Sequence, residues 1–200
     1  MNRKISLFIS SIFHPVFINL LSLILLFVLF PFLQIAISFS LKIYYILFVF
    51  ITTGLLPVIV VGVLKLLGKL NSVLLDDKDE RTTPYIITAC LYLFDYYFLM
   101  RFGAPHLLIA YLLACSCIVV AVLIINIYYK ISIHSASLGA LSAVVIASSQ
   151  MASFDIRILL ALIILISGLT ASARLFSDAH VPYQIYSGFF LGIVIMMFIL

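Results

Sequence analysis

The sequence has very little charge. Lysine, arginine, aspartate and glutamate together make up 9% of the 200 residues, whereas 66% of the residues are apolar. In soluble domains about a quarter of the residues are charged, and a soluble domain of this size could not bury so much apolar surface. The composition therefore excludes a soluble domain and indicates an integral membrane protein.

Other signals are also missing. The three cysteines, Cys90, Cys115 and Cys117, lie in apolar runs without metal-ligand spacing, so we interpret them as packing residues and predict no metal or cofactor. The net charge of +4 is small and scattered, which argues against nucleic-acid binding and favours contact with lipid headgroups. No small-residue cleavage site follows Arg3 and Lys4, so the N-terminal stretch is predicted to be retained.

Long apolar runs dominate the chain. Runs of about twenty apolar residues match the roughly 30 Å hydrocarbon core of a bilayer. Because the runs are continuously apolar and do not alternate with period two, they predict helices. The predicted fold is all-α, a polytopic bundle of six to seven transmembrane helices in a single domain over residues 1–200. The seven candidate spans are 15–38, 43–67, 84–103, 107–129, 134–152, 156–173 and 182–200.

Three polar stretches interrupt the apolar runs, at residues 70–83, 129–135 and 174–183. Two spans separate each stretch from the next, so all three are predicted to share one face of the membrane and to converge. Pro182 suits the first turn of a helix, which would place His180 at the N-terminal end of the last span.

The polar stretches carry groups suited to binding phosphate. The guanidinium groups of Arg81 and Arg174 are planar anion clamps. Ser132 is a natural N-cap for the fifth span. The first backbone N–H groups of that helix could then donate hydrogen bonds to a phosphate. His134 and His180 could divide the duties of acid and nucleophile.

Residues 78–192 resemble the type 2 phosphatidic acid phosphatase superfamily, whose motifs are Lys-x6-Arg-Pro, Pro-Ser-Gly-His and Ser-Arg-x5-His-x3-Asp. Arg174 and His180 match the third motif and Ser132 and His134 match the second. Lys78, Arg81 and Pro84 match the first motif in residue type but not in spacing. Gly188 and Gly192 stand at the spacing that the family uses in its last helix.

The resemblance implies a metal-independent hydrolase of phosphomonoesters or diphosphates. It implies that His180 attacks phosphorus to form a phosphohistidine and that His134 protonates the leaving oxygen. The residues that would hold the phosphoryl oxygens are Lys78, Arg81, Ser132 and Arg174.

Gln184 stands where the family has an aspartate that orients the nucleophile. Its carbonyl can accept the same N–H bond from His180 but carries no charge, and its amide, if turned round, would favour the wrong tautomer. In a serine protease triad the change from aspartate to asparagine lowers turnover about 10⁴-fold. Asp178, two residues before His180, is another source of negative charge.

The expected function is that of a lipid phosphatase in the bacterial inner membrane, with the bilayer and a phosphorylated lipid or polyprenyl diphosphate as partners. One alternative keeps the fold and abandons turnover, leaving a degenerate relative that binds phospholipid or a partner protein. Another alternative is a small transporter, suggested by Asp95 and Arg101 near the third span.

Overall fold

The computed structural model describes residues 2–70, 79–149, 151 and 155–200. Over those residues the chain is all-α and forms no strand, as the continuously apolar runs predicted. The α-helices are α1 (Arg3–Ile12), α2 (Pro15–Leu29), α3 (Pro31–Ala36), α4 (Phe39–Val49), α5 (Leu56–Leu66), α6 (Thr82–Arg101), α7 (His106–Tyr128), α8 (Ile133–Ser148), α9 (Arg157–Phe176) and α10 (Pro182–Ile199).

Five helical stretches within the described residues are long and apolar enough to cross a membrane. They are Arg3–Leu29, Phe39–Leu66, His106–Tyr128, Arg157–Phe176 and Pro182–Ile199. The other two predicted spans are also helices: α6 has 20 residues and carries Asp95 and Arg101, and α8 has 16 residues. Large apolar side chains such as Phe8 and Phe198 are exposed on the outside of the bundle. The architecture fits an integral membrane protein.

The chain ahead of residue 15 forms a helix that the sequence analysis did not predict. His14 separates α1 from α2 and caps α2, because its Nδ1 accepts the Val16 N–H at 3.4 Å. Pro15 occupies the first position of α2, as proline favours. Ser6 and Ser10 of α1 are buried, whereas Ile5, Phe8 and Ile12 are exposed. This pattern is the reverse of that in a soluble surface helix, and it suits a helix surrounded by lipid.

The second span widens into a π-helix at Phe50–Leu55, between α4 and α5. Pro57 follows this segment, and in a regular α-helix its ring would clash with the carbonyl group of Thr53. The disturbance that proline causes in a helix therefore coincides, at Pro57, with the wider π-turn. At Pro31 the helix is broken at Phe30, between α2 and α3.

The π-helix directs Thr52 toward α6. The Thr52 hydroxyl oxygen lies 2.5 Å from Oδ2 of Asp95, whose side chain is fully buried. Interhelical hydrogen bonds of this kind hold helices together in an apolar surround. Asp95 therefore joins two helices of the bundle.

α8 lies at the centre of the bundle, with twelve of its sixteen residues buried. α10 packs against it at backbone distance. A Cβ atom added to Gly192 would lie 2.0 Å from the carbonyl oxygen of Ala136, and one added to Gly188 would lie 2.5 Å from that of Ser132. α10 therefore approaches the small residues of α8 closely, and this contact fixes the start of α8 against the start of α10.

Candidate functional site

The polar stretches of the sequence meet at one cavity of about 640 Å³. Arg81 comes from the segment before α6, His134 from the first turn of α8, Arg174 from the last turn of α9, and His180 from the segment before α10. All four side chains line the cavity and each is less than 10% exposed. The predicted convergence of the three stretches is therefore confirmed.

The turn after α9 brings His180 back beside Arg174. Asp178 has a φ of 55°, the left-handed conformation in which aspartate is better tolerated than most residues. This turn lets the N–H groups of Ala179 and His180 both donate to the carbonyl oxygen of Arg174, at 3.1 and 3.4 Å. The five residues between Arg174 and His180 thus form the C-terminal turn of α9, which brings the His180 backbone back to the Arg174 carbonyl group.

Gln184 fixes the tautomer of His180. Its Oε1 atom lies 3.3 Å from the backbone nitrogen of Val181, which can only donate, so the oxygen of the amide must face this side. The same oxygen lies 3.0 Å from Nδ1 of His180, which therefore carries the proton. The Nε2 atom of His180 is left with a lone pair. The Val181 N–H at the start of α10 thus excludes the turned-round amide.

Burial and neighbouring charge keep His180 neutral. Loss of hydration on burial, followed by the positive charges of Arg174 and Arg81, lowers the pKa of the His180 imidazole to about 3. The hydrogen bond to Gln184 acts in the opposite direction and is outweighed. A neutral imidazole with a free lone pair is the form that a nucleophile needs.

His134 is held at the start of α8. Ser132 caps this helix by accepting the Ser135 N–H at 3.4 Å, which confirms the predicted N-cap. The His134 imidazole is hydrogen-bonded to the backbone of Ser10 in α1. Its Nδ1 atom is buried and has no hydrogen-bond partner among the described residues. A buried nitrogen in this state can bond to a ligand in the cavity.

Arg81 is fixed in the cavity wall. It ends a short 3₁₀ turn at Asp79–Arg81 and precedes α6 directly. Its side chain is 3% exposed and hydrogen-bonds to Tyr85, one turn later on α6. A buried guanidinium at a cavity surface is suited to binding an anion.

Other predicted residues lie elsewhere. Ser132 and Gln184 stand behind the cavity wall, and the Ser132 N–H donates to the Gln184 backbone carbonyl oxygen at 3.1 Å. Asp178 is exposed, and the His180 imidazole is bonded to Gln184 and not to it. Lys78 lies outside the described residues.

The N-terminal stretch forms one wall of the cavity, and this contribution was not predicted from the sequence. Ser10, Ser11 and His14 line the cavity, and the ring of His14 lies 5.5 Å from that of His134 at an angle of 86°. In the sequence, a histidine before Pro15 indicates only a helix end. Span parity could have found it, because two predicted spans separate His14 from the stretch that carries Arg81.

Away from the cations the cavity wall is mostly apolar. Its apolar side chains include those of Val16, Pro57, Val58, Val61, Ile118 and Val119. Further along α2 the lining becomes polar again, where the Tyr111 hydroxyl donates to Oδ1 of Asn19 at 2.5 Å. A cationic end joined to a long apolar wall suits an amphiphile with an anionic head.

The described residues offer cations and imidazoles, a donor set that suits an anion. Among them no three histidine, cysteine, aspartate or glutamate side chains are grouped so as to hold a metal ion. Compared with protein-family models, with curated proteins and with solved structures, the chain has no significant match.

Proposed function

We propose that this protein is a membrane lipid phosphatase that hydrolyses a phosphomonoester or diphosphate through a phosphohistidine on His180. The observation that carries the proposal is the pairing of His180 with Gln184, which presents a neutral imidazole with a free Nε2 lone pair to the cavity. Arg81, Arg174 and His134 line the same cavity. The proposal also rests on the resemblance of these residues to the type 2 phosphatidic acid phosphatase motifs.

In the first step Nε2 of His180 attacks phosphorus, and the bond from phosphorus to the leaving oxygen breaks. His134, protonated once the anion is bound, gives its proton to the leaving oxygen, so that a phosphomonoester releases a neutral alcohol and a diphosphate releases a lipid monophosphate. Protonation of the leaving group by a positioned acid contributes typically about 10²–10⁴-fold. Arg81 and Arg174 neutralise the equatorial oxygens, where phosphoryl transfer needs charge stabilisation most.

In the second step a water molecule attacks the phosphohistidine. One proton of the water returns to His134, the bond from phosphorus to Nε2 breaks, and hydrogen phosphate leaves. His180 and His134 are then in their starting states, so the cycle consumes only substrate and water. Gln184 accepts the His180 Nδ1–H throughout and stabilises the transient imidazolium only as a dipole.

The substrate is a lipid because the cavity joins the cationic end to an apolar wall. Phosphatidic acid and a polyprenyl diphosphate both fit this chemistry. The proposed location is the bacterial inner membrane.

A second candidate is a degenerate relative that binds phospholipid without turnover. The neutral side chain of Gln184 favours it, because the imidazolium of the intermediate then has no adjacent negative charge. Arg81 and Arg174 would still hold the anion.

The test is phosphate release from phosphatidic acid and from a polyprenyl diphosphate by purified protein in detergent, with and without a chelator. We expect release that persists with chelator and is lost in His180→Ala, with the acid-labile phosphohistidine trapped by an alkaline denaturing quench. Arg157→Gln, at the other end of α9, is the matched control and should retain activity. Lipid binding without release would favour the second candidate.

A further inference from the structure

A third histidine, His14, faces the same cavity and is not part of any motif that suggested the proposed function. It lies at the junction of α1 and α2, and its ring packs edge to face with that of His134, with centroids 5.5 Å apart. His14 is exposed, whereas His134 is buried. The two rings therefore join the open side of the cavity to its buried side.

The tautomer of His14 follows from its role as a helix cap. Its Nδ1 atom accepts the Val16 N–H, so Nδ1 holds a lone pair and the proton of the neutral ring is on Nε2. His14 can therefore offer an N–H donor on the side of the ring away from the cap. No hydrogen bond from this Nε2–H occurs among the described residues.

The surroundings of His134 leave room for such a neighbour. One part of the His134 ring is fixed by the Ser10 backbone, while Nδ1 is buried and unpaired among the described residues. Ser10 and His14 belong to the same N-terminal segment and both line the cavity. The charged or titratable groups that face His134 are Arg174, His14 and His180.

We propose that His14 is a ligand of the bound phosphoryl group and a positioning residue for His134: its Nε2–H donates to a phosphoryl oxygen, and its ring holds the His134 imidazole. This inference rests on the proposed function for its link to turnover, but the anion contact itself does not require hydrolysis. A hydrogen bond to an anionic oxygen strengthens binding about ten- to hundred-fold.

The test separates three properties of His14: the N-cap acceptor, the ring and the Nε2–H donor. His14→Asn keeps an N-cap acceptor and removes the ring and the Nε2–H. His14→Phe keeps a ring without the donor, and His14→Gln keeps an amide donor near the Nε2 position. Ser38→Ala is the matched control, because Ser38 caps α4 by accepting the Leu41 N–H and is not in the cavity lining.

Two quantities are measured for each variant, the affinity for inorganic phosphate by calorimetry and kcat/KM for lipid phosphate. We expect His14→Asn and His14→Phe to weaken phosphate binding about tenfold or more, and His14→Gln to retain most of it. His14→Asn, which loses the ring as well as the donor, should have the lowest kcat/KM. Ser38→Ala should leave both quantities unchanged.

The outcomes separate the two proposals. If the wild type releases phosphate and His14→Asn changes neither quantity, the inference is overturned and the phosphatase proposal stands. If the wild type releases no phosphate but binds it, and His14→Asn weakens that binding, the inference stands as an anion contact and the phosphatase proposal is overturned. Neither release nor phosphate binding removes both. If His14→Asn does not fold, equal phosphate affinity in His14→Gln and His14→Phe overturns the inference.

Discussion

At the residue scale the candidate site depends on how one neutral amide is oriented. The oxygen of Gln184 is shared between the Val181 N–H and the Nδ1–H of His180, so the amide is fixed by the backbone and not by the histidine. The amide can therefore orient His180 as the aspartate of the phosphatase motif would. It does not supply the negative charge of that aspartate, so a single substitution at this position should have the largest effect.

Gln184→Glu should raise turnover. Glutamate has the same length as glutamine, so both hydrogen bonds can persist while a charge is added beside the imidazolium of the intermediate. The gain should be several-fold, with about 10⁴-fold as an upper bound from the serine protease comparison. Gln184→Leu should lower kcat about 5- to 150-fold, because the acceptor for Nδ1–H is lost. Steady-state kinetics test both, and a lower kcat in Gln184→Glu than in the wild type would contradict the role given to this residue.

The pKa of His180 should respond to Arg174 and not to Arg157. Removing the Arg174 charge in Arg174→Gln favours the imidazolium, so the pKa should rise from about 3 and stay below the ordinary value, since burial is the larger cause. Histidine-selective NMR titration measures this. Arg157 is at the other end of the same helix, exposed and paired with Asp155, so Arg157→Gln should leave His180 unchanged.

The same pKa sets the pH dependence of the proposed nucleophile, His180. His180 stays deprotonated as the pH falls until it approaches about 3, so this residue contributes no acid limb to kcat/KM in the usual assay range. Any acid limb between about pH 5 and pH 7 should reflect the substrate phosphate, whose second pKa is about 6. Replacing the substrate with one of lower phosphate pKa should move that limb; a limb that does not move would assign it to His180.

At the scale of the elements, α8 and α10 form the tightest pair. A Cβ on Gly192 would lie 2.0 Å from a backbone oxygen of α8, so Gly192→Ala must push the helices apart. We expect a loss of about 1–3 kcal/mol, read as a lower thermal midpoint in detergent. Gly168→Ala on α9 is the control, since nothing lies within 4 Å of its Cβ position. Equal midpoints for the two variants would show that the pair is looser than described.

The contact between the π-helix and α6 makes a second prediction. Thr52→Val leaves the buried carboxyl of Asp95 without its hydroxyl partner and should cost about 1–3 kcal/mol. Thr170 is also fully buried, but its hydroxyl has no partner among the described residues, so Thr170→Val should cost nothing. Thermal unfolding compares the two variants. Proteoliposome flux that vanished in Asp95→Asn would instead favour the transporter.

The sequence predicted the helices better than it predicted the breaks and irregular segments between them. Seven apolar runs, the N-cap at Ser132 and the start of α10 at Pro182 follow from local rules, and all are present. The π-helix was not predictable, because proline signals a disturbance without specifying its form. α1 was missed because its serines face inward and its apolar side chains face outward.

The site was predicted through spacing and parity and missed where neither was applied. Arg81, Arg174, His134 and His180 meet as expected. His14 was missed because a lone histidine before proline is explained by helix capping alone. Its contact with His134 joins residues far apart in the chain and depends on how the N-terminal segment packs against the start of α8, which no local rule gives.

At the scale of the whole molecule, the bundle has two distinct ends. α9 carries Arg157 at its start and the cavity arginine in its last turn, and a 20-residue helix is about 30 Å long. In a background without the native cysteines, Ser177→Cys and Arg157→Cys should react with a membrane-impermeant maleimide from opposite sides of sealed proteoliposomes. Labelling from the same side would contradict a membrane-spanning α9.

The pairing of His180 with α10 also sets an order of assembly. The proton position of this imidazole depends on Gln184 of α10, a helix that leaves the ribosome after the other walls of the cavity. Under the proposed mechanism, a nascent chain in which α10 has not yet inserted holds the arginines and His134 without an oriented nucleophile. Cleavage of membrane lipid would therefore begin only once α10 is in place.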